Sequence, residues 1–181
     1  MTRNARTMKE PAAVAIAAAL CAVAVPRSAG AFERQWHIGV AGGIATLKGA
    51  EAAPVLGLHG AYGLSDMFDV DVELAGSRHG ETPRTTVLSA AGGLAYKIDI
   101  FDWVPYVTLL GGYYSFGGAR GPNGLSGGEF GTSVGFGLDY VASRHVAVGG
   151  QLRGHAFFTG PSFPWFPYFT AMLQGEYRWG W

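Results

Sequence analysis

The chain has one cysteine, Cys21, and no second thiol to pair with it. Intrachain disulfide scaffolds and multi-cysteine metal sites are therefore excluded. Charge is also scarce: Asp, Glu, Lys and Arg make up 14% of the 181 residues, against roughly a quarter in ordinary soluble domains. The thirteen basic and thirteen acidic residues cancel, which leaves no basic excess for nucleic acid or another polyanion. After residue 31 no stretch approaches the roughly 18 consecutive apolar residues that mark a membrane-spanning helix. What is abundant is glycine, with 29 residues, and aromatic side chains, at 13%. That composition argues against a soluble enzyme.

Residues 1–31 read as an export signal. Arg3, Arg6 and Lys9 supply a positive start, Pro11 to Val25 an apolar run, and Ala29-Gly30-Ala31 a small-x-small cleavage site before Phe32. The apolar run is too short for a spanning helix, which needs about 20 residues. Cys21 is a poor lipoprotein acceptor because Leu20 precedes it where a small residue is wanted. The expectation is therefore export through the Sec pathway, cleavage after Ala31 with Ala29 and Ala31 at the cut, and a mature domain of residues 32–181 without a thiol. Arg3, Arg6, Lys9, Arg27 and Glu10 leave with the signal, so nine basic and twelve acidic residues remain, a net charge of −3.

The mature part alternates with period 2 between turn signals, the pattern of an all-β barrel or sandwich. Eight stretches qualify: 34–45, 53–63, 68–77, 86–98, 103–115, 129–140, 146–157 and 168–180. Most are close to the ~9–11 residues of a tilted membrane strand. In the third, Phe68, Val70, Val72 and Leu74 oppose Asp69, Asp71 and Glu73. In the sixth, Phe130, Val134, Phe136, Leu138 and Tyr140 oppose Glu129, Ser133, Gly135, Gly137 and Asp139. In the seventh, Val146, Val148 and Leu152 oppose Gln151, Arg153 and His155, and the last sets Phe169, Ala171, Leu173, Tyr177, Trp179 and Trp181 against Thr170, Gln174, Glu176 and Arg178.

Alternation alone does not say which face is inside; a soluble ligand-carrying barrel would bury the apolar one. Three features favour the reverse. The polar face is too poor in charge to be a good water-facing surface. Its small residues, such as Ser89, Ala91, Gly93 and Ala95, suit the narrow interior of an eight-stranded barrel. Tyr62, Tyr96, Tyr140 and Tyr177 end the even-numbered strands on the apolar face, as a membrane-interface girdle would. Short turns (64–67, 99–102, 141–145) alternate with mostly longer connections (46–52, 78–85, 116–128, 158–167), the polarity of an outer-membrane barrel with its termini on the periplasmic side.

Certain runs carry a resemblance. Tyr62-Gly63-Leu64-Ser65-Asp66, Val104-Pro105-Tyr106 and Gly135-Phe136-Gly137-Leu138-Asp139-Tyr140 resemble small outer-membrane β-barrel proteins of Gram-negative bacteria, of the OmpA transmembrane-domain and OmpX-like kind. The resemblance covers the whole mature chain. It implies an eight-stranded antiparallel up-and-down barrel in the outer membrane, in contact with membrane lipid and lipopolysaccharide. The ending with Tyr177, Trp179 and Trp181 resembles the family's assembly signal, which implies the barrel-assembly machinery as a partner during biogenesis. Phenylalanine is the commoner last residue, so Trp181 is a mild departure. The length leaves no room for a peptidoglycan-binding domain, and cell-wall tethering is not implied. A monomer without cofactor, metal or nucleic-acid partner is expected.

The face assignment puts Asp69, Asp71, Glu73, Glu129, Asp139, Glu176, Lys97, Arg153, Arg178, His37, His59 and His155 in the lumen. Buried charges cost several kcal/mol each unless paired, so a plug of ion pairs holding the barrel round is favoured over a gated ion path. The Asp69-x-Asp71-x-Glu73 run is a poor calcium site because a straight strand does not wrap six to eight oxygens round an ion. Ser77, His79 and Glu81 are read as a solvated loop rather than a catalytic set. The segment 157–169, with its seven aromatics and three prolines, is expected to join the outer aromatic girdle and fold onto the membrane interface. The glycine-rich 116–128 is read as a flexible loop. The expected role is structural or surface-interacting, with no catalytic residues. A narrow channel is the alternative, and a lipid A-modifying enzyme ranks third.

Overall fold

The structure is a computed structural model that describes residues 34–47, 51–80, 85–98, 102–118, 127–158 and 168–180. The expected signal with Ala29 and Ala31, Glu81, most of the two longest connections, and Trp181 lie outside the described residues.

Eight strands follow in order: β1 (Trp36–Leu47), β2 (Ala53–Gly63), β3 (Phe68–His79), β4 (Thr85–Lys97), β5 (Trp103–Gly118), β6 (Gly127–Val141), β7 (Val146–Phe157) and β8 (Tyr168–Trp179). Each pairs antiparallel with the next, and β1 closes on β8 from Trp36↔Trp179 to Leu47↔Tyr168, giving a closed barrel with no free edge. The alternating stretches in the sequence are these strands. The clearest differences are that β1 starts later, and that β5 and β6 continue their pairing to Phe116↔Gly127.

Bulky apolar residues cover the outer face. Leu56 is 73% exposed and Leu173 76%, whereas Asp69 on the opposite face of β3 is 0% exposed. Such an exterior is stable only against lipid, since an apolar surface of this extent in water would drive aggregation.

Serines build two of the short turns. Ser65 Oγ accepts from the backbone N–H of Met67 at 3.3 Å and of Phe68 at 3.2 Å. Ser143 Oγ accepts from His145 at 3.3 Å and Val146 at 3.1 Å. A serine hydroxyl that captures N–H groups two and three residues on pre-forms the reversal. At this turn end Trp36 meets Tyr62 with ring centroids 4.7 Å apart, Phe68 meets Tyr96 at 5.2 Å and Trp103 meets Tyr140 at 5.0 Å. Tyr177 stacks on Trp179 at 6.0 Å and on His145 at 5.7 Å. The tyrosines of the even strands thus lie outward at one level, each beside a ring from another position.

Candidate functional site

Inward-facing side chains fill the lumen in two layers. The half nearer the short turns is charged. Lys97 is ion-paired with Asp69, Arg153 with Glu73, and Arg178 with Glu176. Arg153 and Glu73 sit on β7 and β3, so their bond crosses the lumen. Arg153 also donates from Nη2 to Gln151 Oε1 at 2.8 Å. His37 lies 3.6 Å from Glu176 and 3.4 Å from Lys97 Nζ. Gln174 donates to Asp139 Oδ1 at 2.8 Å and to the Tyr106 hydroxyl at 2.9 Å. Asp69, Asp139 and Arg178 are all no more than 2% exposed. In so dry a position each charge needs its partner, because the desolvation cost is repaid only by close pairing and hydrogen bonds.

Two glycines make the cross-strand bonds possible. Gly39 lies between His59 on β2 and Glu176 on β8. A Cβ there would collide with the His59 ring, which crosses over it to reach Glu176 Oε2 at 3.3 Å. Gly149 lies between Asp139 and Gln174 in the same way, and a Cβ there would collide with the Asp139 carboxylate.

The space left among these charged side chains is small. A cavity of about 30 Å³ is lined by His59, Asp71, Lys97, Tyr106, Thr108 and Asp139, among others, room for about two water molecules. Asp71 is half-buried against it. Glu129 stands apart from the charged layer, opposite Tyr114 near the outer end of β6. Among the described residues no group of three His, Cys, Asp or Glu side chains is placed to hold a metal ion. In the Asp69-x-Asp71-x-Glu73 run the outer two carboxylates are engaged by Lys97 and Arg153.

The half nearer the long connections is aromatic and apolar, which the charge pattern did not anticipate. Tyr114, Phe116, Phe157, Tyr168 and Met172 pack there with Leu47, Val55 and Val87. Phe157 meets Tyr114 at 5.0 Å and Phe116 at 5.1 Å, edge to face. His155 belongs to this layer, with Nδ1 3.0 Å from the Tyr114 hydroxyl and Nε2 3.3 Å from Thr170 Oγ1. Phe157 and Tyr168, expected in a loop lying on the membrane interface, instead end strands and point inward at 5% and 2% exposure. Their parity decides it: Phe157 is two residues beyond His155, and Tyr168 pairs with His155.

A second correction concerns Ser77 and His79. They are not in a solvated loop but are the last inward positions of β3, both buried, with Ser77 Oγ 2.9 Å from His79 Nε2.

The model of the outer membrane protein beta-barrel domain matches residues 15–174. The chain belongs to this family. Membership places it among the proteins of the Gram-negative outer membrane, and the eight lipid-facing strands are the spanning elements such a barrel requires. No curated protein matches the sequence. Among solved structures, OprG from Pseudomonas aeruginosa is 16% identical with a TM-score of 0.61, covering 84% of this chain and 99% of its own. Neisserial surface protein A, NspA, is 15% identical with a TM-score of 0.60, covering 80% of this chain and 94% of its own. The outer membrane enzyme PagL is 18% identical at a TM-score of 0.52, covering 77% of this chain and 97% of its own. At such identities the likeness establishes the fold alone, and the fold accommodates enzymes as well as other barrels.

Proposed function

We propose that this family member is a monomeric structural or surface-interaction protein whose lumen is sealed by its own side chains and whose long connections face the exterior. The observation that carries this reading is the bond between Arg153 and Glu73 across the lumen, with the aromatic layer above it. The cavity of about 30 Å³ within the charged layer is far below what a continuous water column needs. On this reading lipopolysaccharide and membrane lipid are the standing partners of the outer half. Residues 1–31 act as a Sec signal cut after Ala31, and the ending with Tyr177, Trp179 and Trp181 engages the barrel-assembly machinery by strand addition.

Planar-bilayer recording tests the reading. The purified protein is expected to give no stable current, and Arg153→Ala is expected to lower the melting temperature without opening a conductance. Reproducible single-channel steps from the unmodified protein would overturn it in favour of a narrow channel.

A further inference from the structure

The outer end of the lumen contains a hydroxyl, an imidazole and a backbone carbonyl in series. Ser77 Oγ is 2.9 Å from His79 Nε2, and His79 Nδ1 is 3.1 Å from the carbonyl oxygen of Glu51. A carbonyl only accepts, so Nδ1 carries the proton, Nε2 is the acceptor, and the Ser77 hydroxyl donates to it. The tautomer is thereby fixed in the form a general base requires. The Tyr168 hydroxyl is 2.9 Å from Ser77 Oγ on its other side. Since the serine proton is committed to His79, Tyr168 donates to Ser77. These are the elements of an activated nucleophile: a hydroxyl within hydrogen-bond reach of a base whose own orientation is held by a third group.

We propose that Ser77 is a nucleophile and His79 its general base, competent for acyl transfer from small, uncharged carboxylic esters that enter from the exterior. The surroundings set the substrate class. Ser77 pairs with Val55 and Val87 on the neighbouring strands, and Leu47, Phe157 and Tyr168 belong to the same apolar layer. Ser77 at 4% and His79 at 1% exposure restrict access to slim molecules.

In the step, Ser77 Oγ bonds to the ester carbonyl carbon while its proton passes to His79 Nε2. The carbon–alkoxy bond then breaks, and the same proton leaves with the alcohol. Water next attacks the acyl-serine and gives a proton to His79. The bond from Oγ to the acyl carbon breaks, the carboxylic acid departs, and His79 returns the proton to Oγ. Tyr168 orients the Ser77 hydroxyl by donating to Oγ. Glu51 is a positioning residue, acting only through the imidazole.

The inference is independent of the sealed-lumen reading, since it needs access from the exterior only as far as Ser77, the second-last inward position of β3. It is tested with diisopropyl fluorophosphate on the folded protein in detergent, followed by peptide mass spectrometry. The expected result is one phosphoryl adduct, at Ser77, absent from Ser77→Ala and from the urea-denatured wild type. His79→Gln is expected to slow labelling by about 100-fold, the usual contribution of a general base. Heat-modifiable gel mobility confirms that each variant is folded. An unlabelled Ser77 in the folded wild type overturns the proposal, as does equal labelling of native and denatured protein or an unchanged rate in a folded His79→Gln. The native-to-denatured comparison decides the matter even if both variants misfold.

Discussion

Arg153 holds the charged layer across its full width, from Gln151 on its own strand to Glu73 on the far wall. Truncating one partner of a buried pair strands the other charge, which costs about 3–5 kcal/mol. Arg153→Ala is therefore expected to destabilise the barrel by that amount, read from equilibrium unfolding in lipid vesicles. The double change Arg153→Met with Glu73→Leu leaves no stranded charge and is expected to recover most of the loss. If Arg153→Ala unfolds at the wild-type denaturant midpoint, the cross-lumen bond is not structural. Period-2 counting placed both residues on the inner face, but not opposite each other. They come from β7 and β3, and which inward residues meet depends on closure and on the register of every intervening pair. A different limit hides Ser77 and His79, which share one strand. Their parity is readable, but the alternation marks the end of β3 at Ser77, two residues before the strand ends at His79.

At the scale of the strand, the sequence is most legible where one face is charged or small and the other bulky, as in β3 and β7. It is least legible in β5, where Leu109-Leu110 and Tyr113-Tyr114 put bulky apolar residues on both faces. Tyr114 and Leu110 are each 1% exposed, whereas Leu109 is 59% and Tyr113 46% exposed. Counting in twos from the buried Thr108 would have found the inward pair. The glycines at 39 and 149 show a related blind spot, since only the register reveals that each sits beneath a bond between the strands on either side. Gly149→Ala is expected to push the Asp139 carboxylate off Gln174 and destabilise the fold by ~1–3 kcal/mol, the usual cost of overpacking. Gly175→Ala is the control. A Cβ at Gly175 would meet nothing within 4 Å, so this change is expected to leave the unfolding midpoint in place. The outer face gives a depth test. Val72→Arg, halfway along β3, is expected to cost ~2–4 kcal/mol, whereas Val146→Arg, level with Tyr177 in the girdle, is expected to cost about 0–1 kcal/mol. Equal penalties at the two positions would mean that the girdle does not mark the membrane interface.

Over the whole molecule, the two lumen layers act in series, and the poorer conductor sets the current. The charged layer blocks by volume and by bonds that span the bore; the aromatic layer blocks by apolar packing, with Phe157 in edge contact with both Tyr114 and Phe116. The ion pairs Lys97–Asp69, Arg153–Glu73 and Arg178–Glu176 all lie within the charged layer, so removing the aromatic layer leaves them in place. Arg153→Ala with Glu73→Ala should therefore stay silent in planar bilayers, and so should Tyr114→Ala with Phe157→Ala. Only the fourfold variant is expected to give resolved current steps. Those steps should favour cations, because Asp71, Asp139 and Glu176 then line the open bore against the single cation Lys97. Currents from either double variant would show that one layer alone closes the barrel. A silent fourfold variant that still migrates as a folded barrel would place the block in the connections beyond the strands.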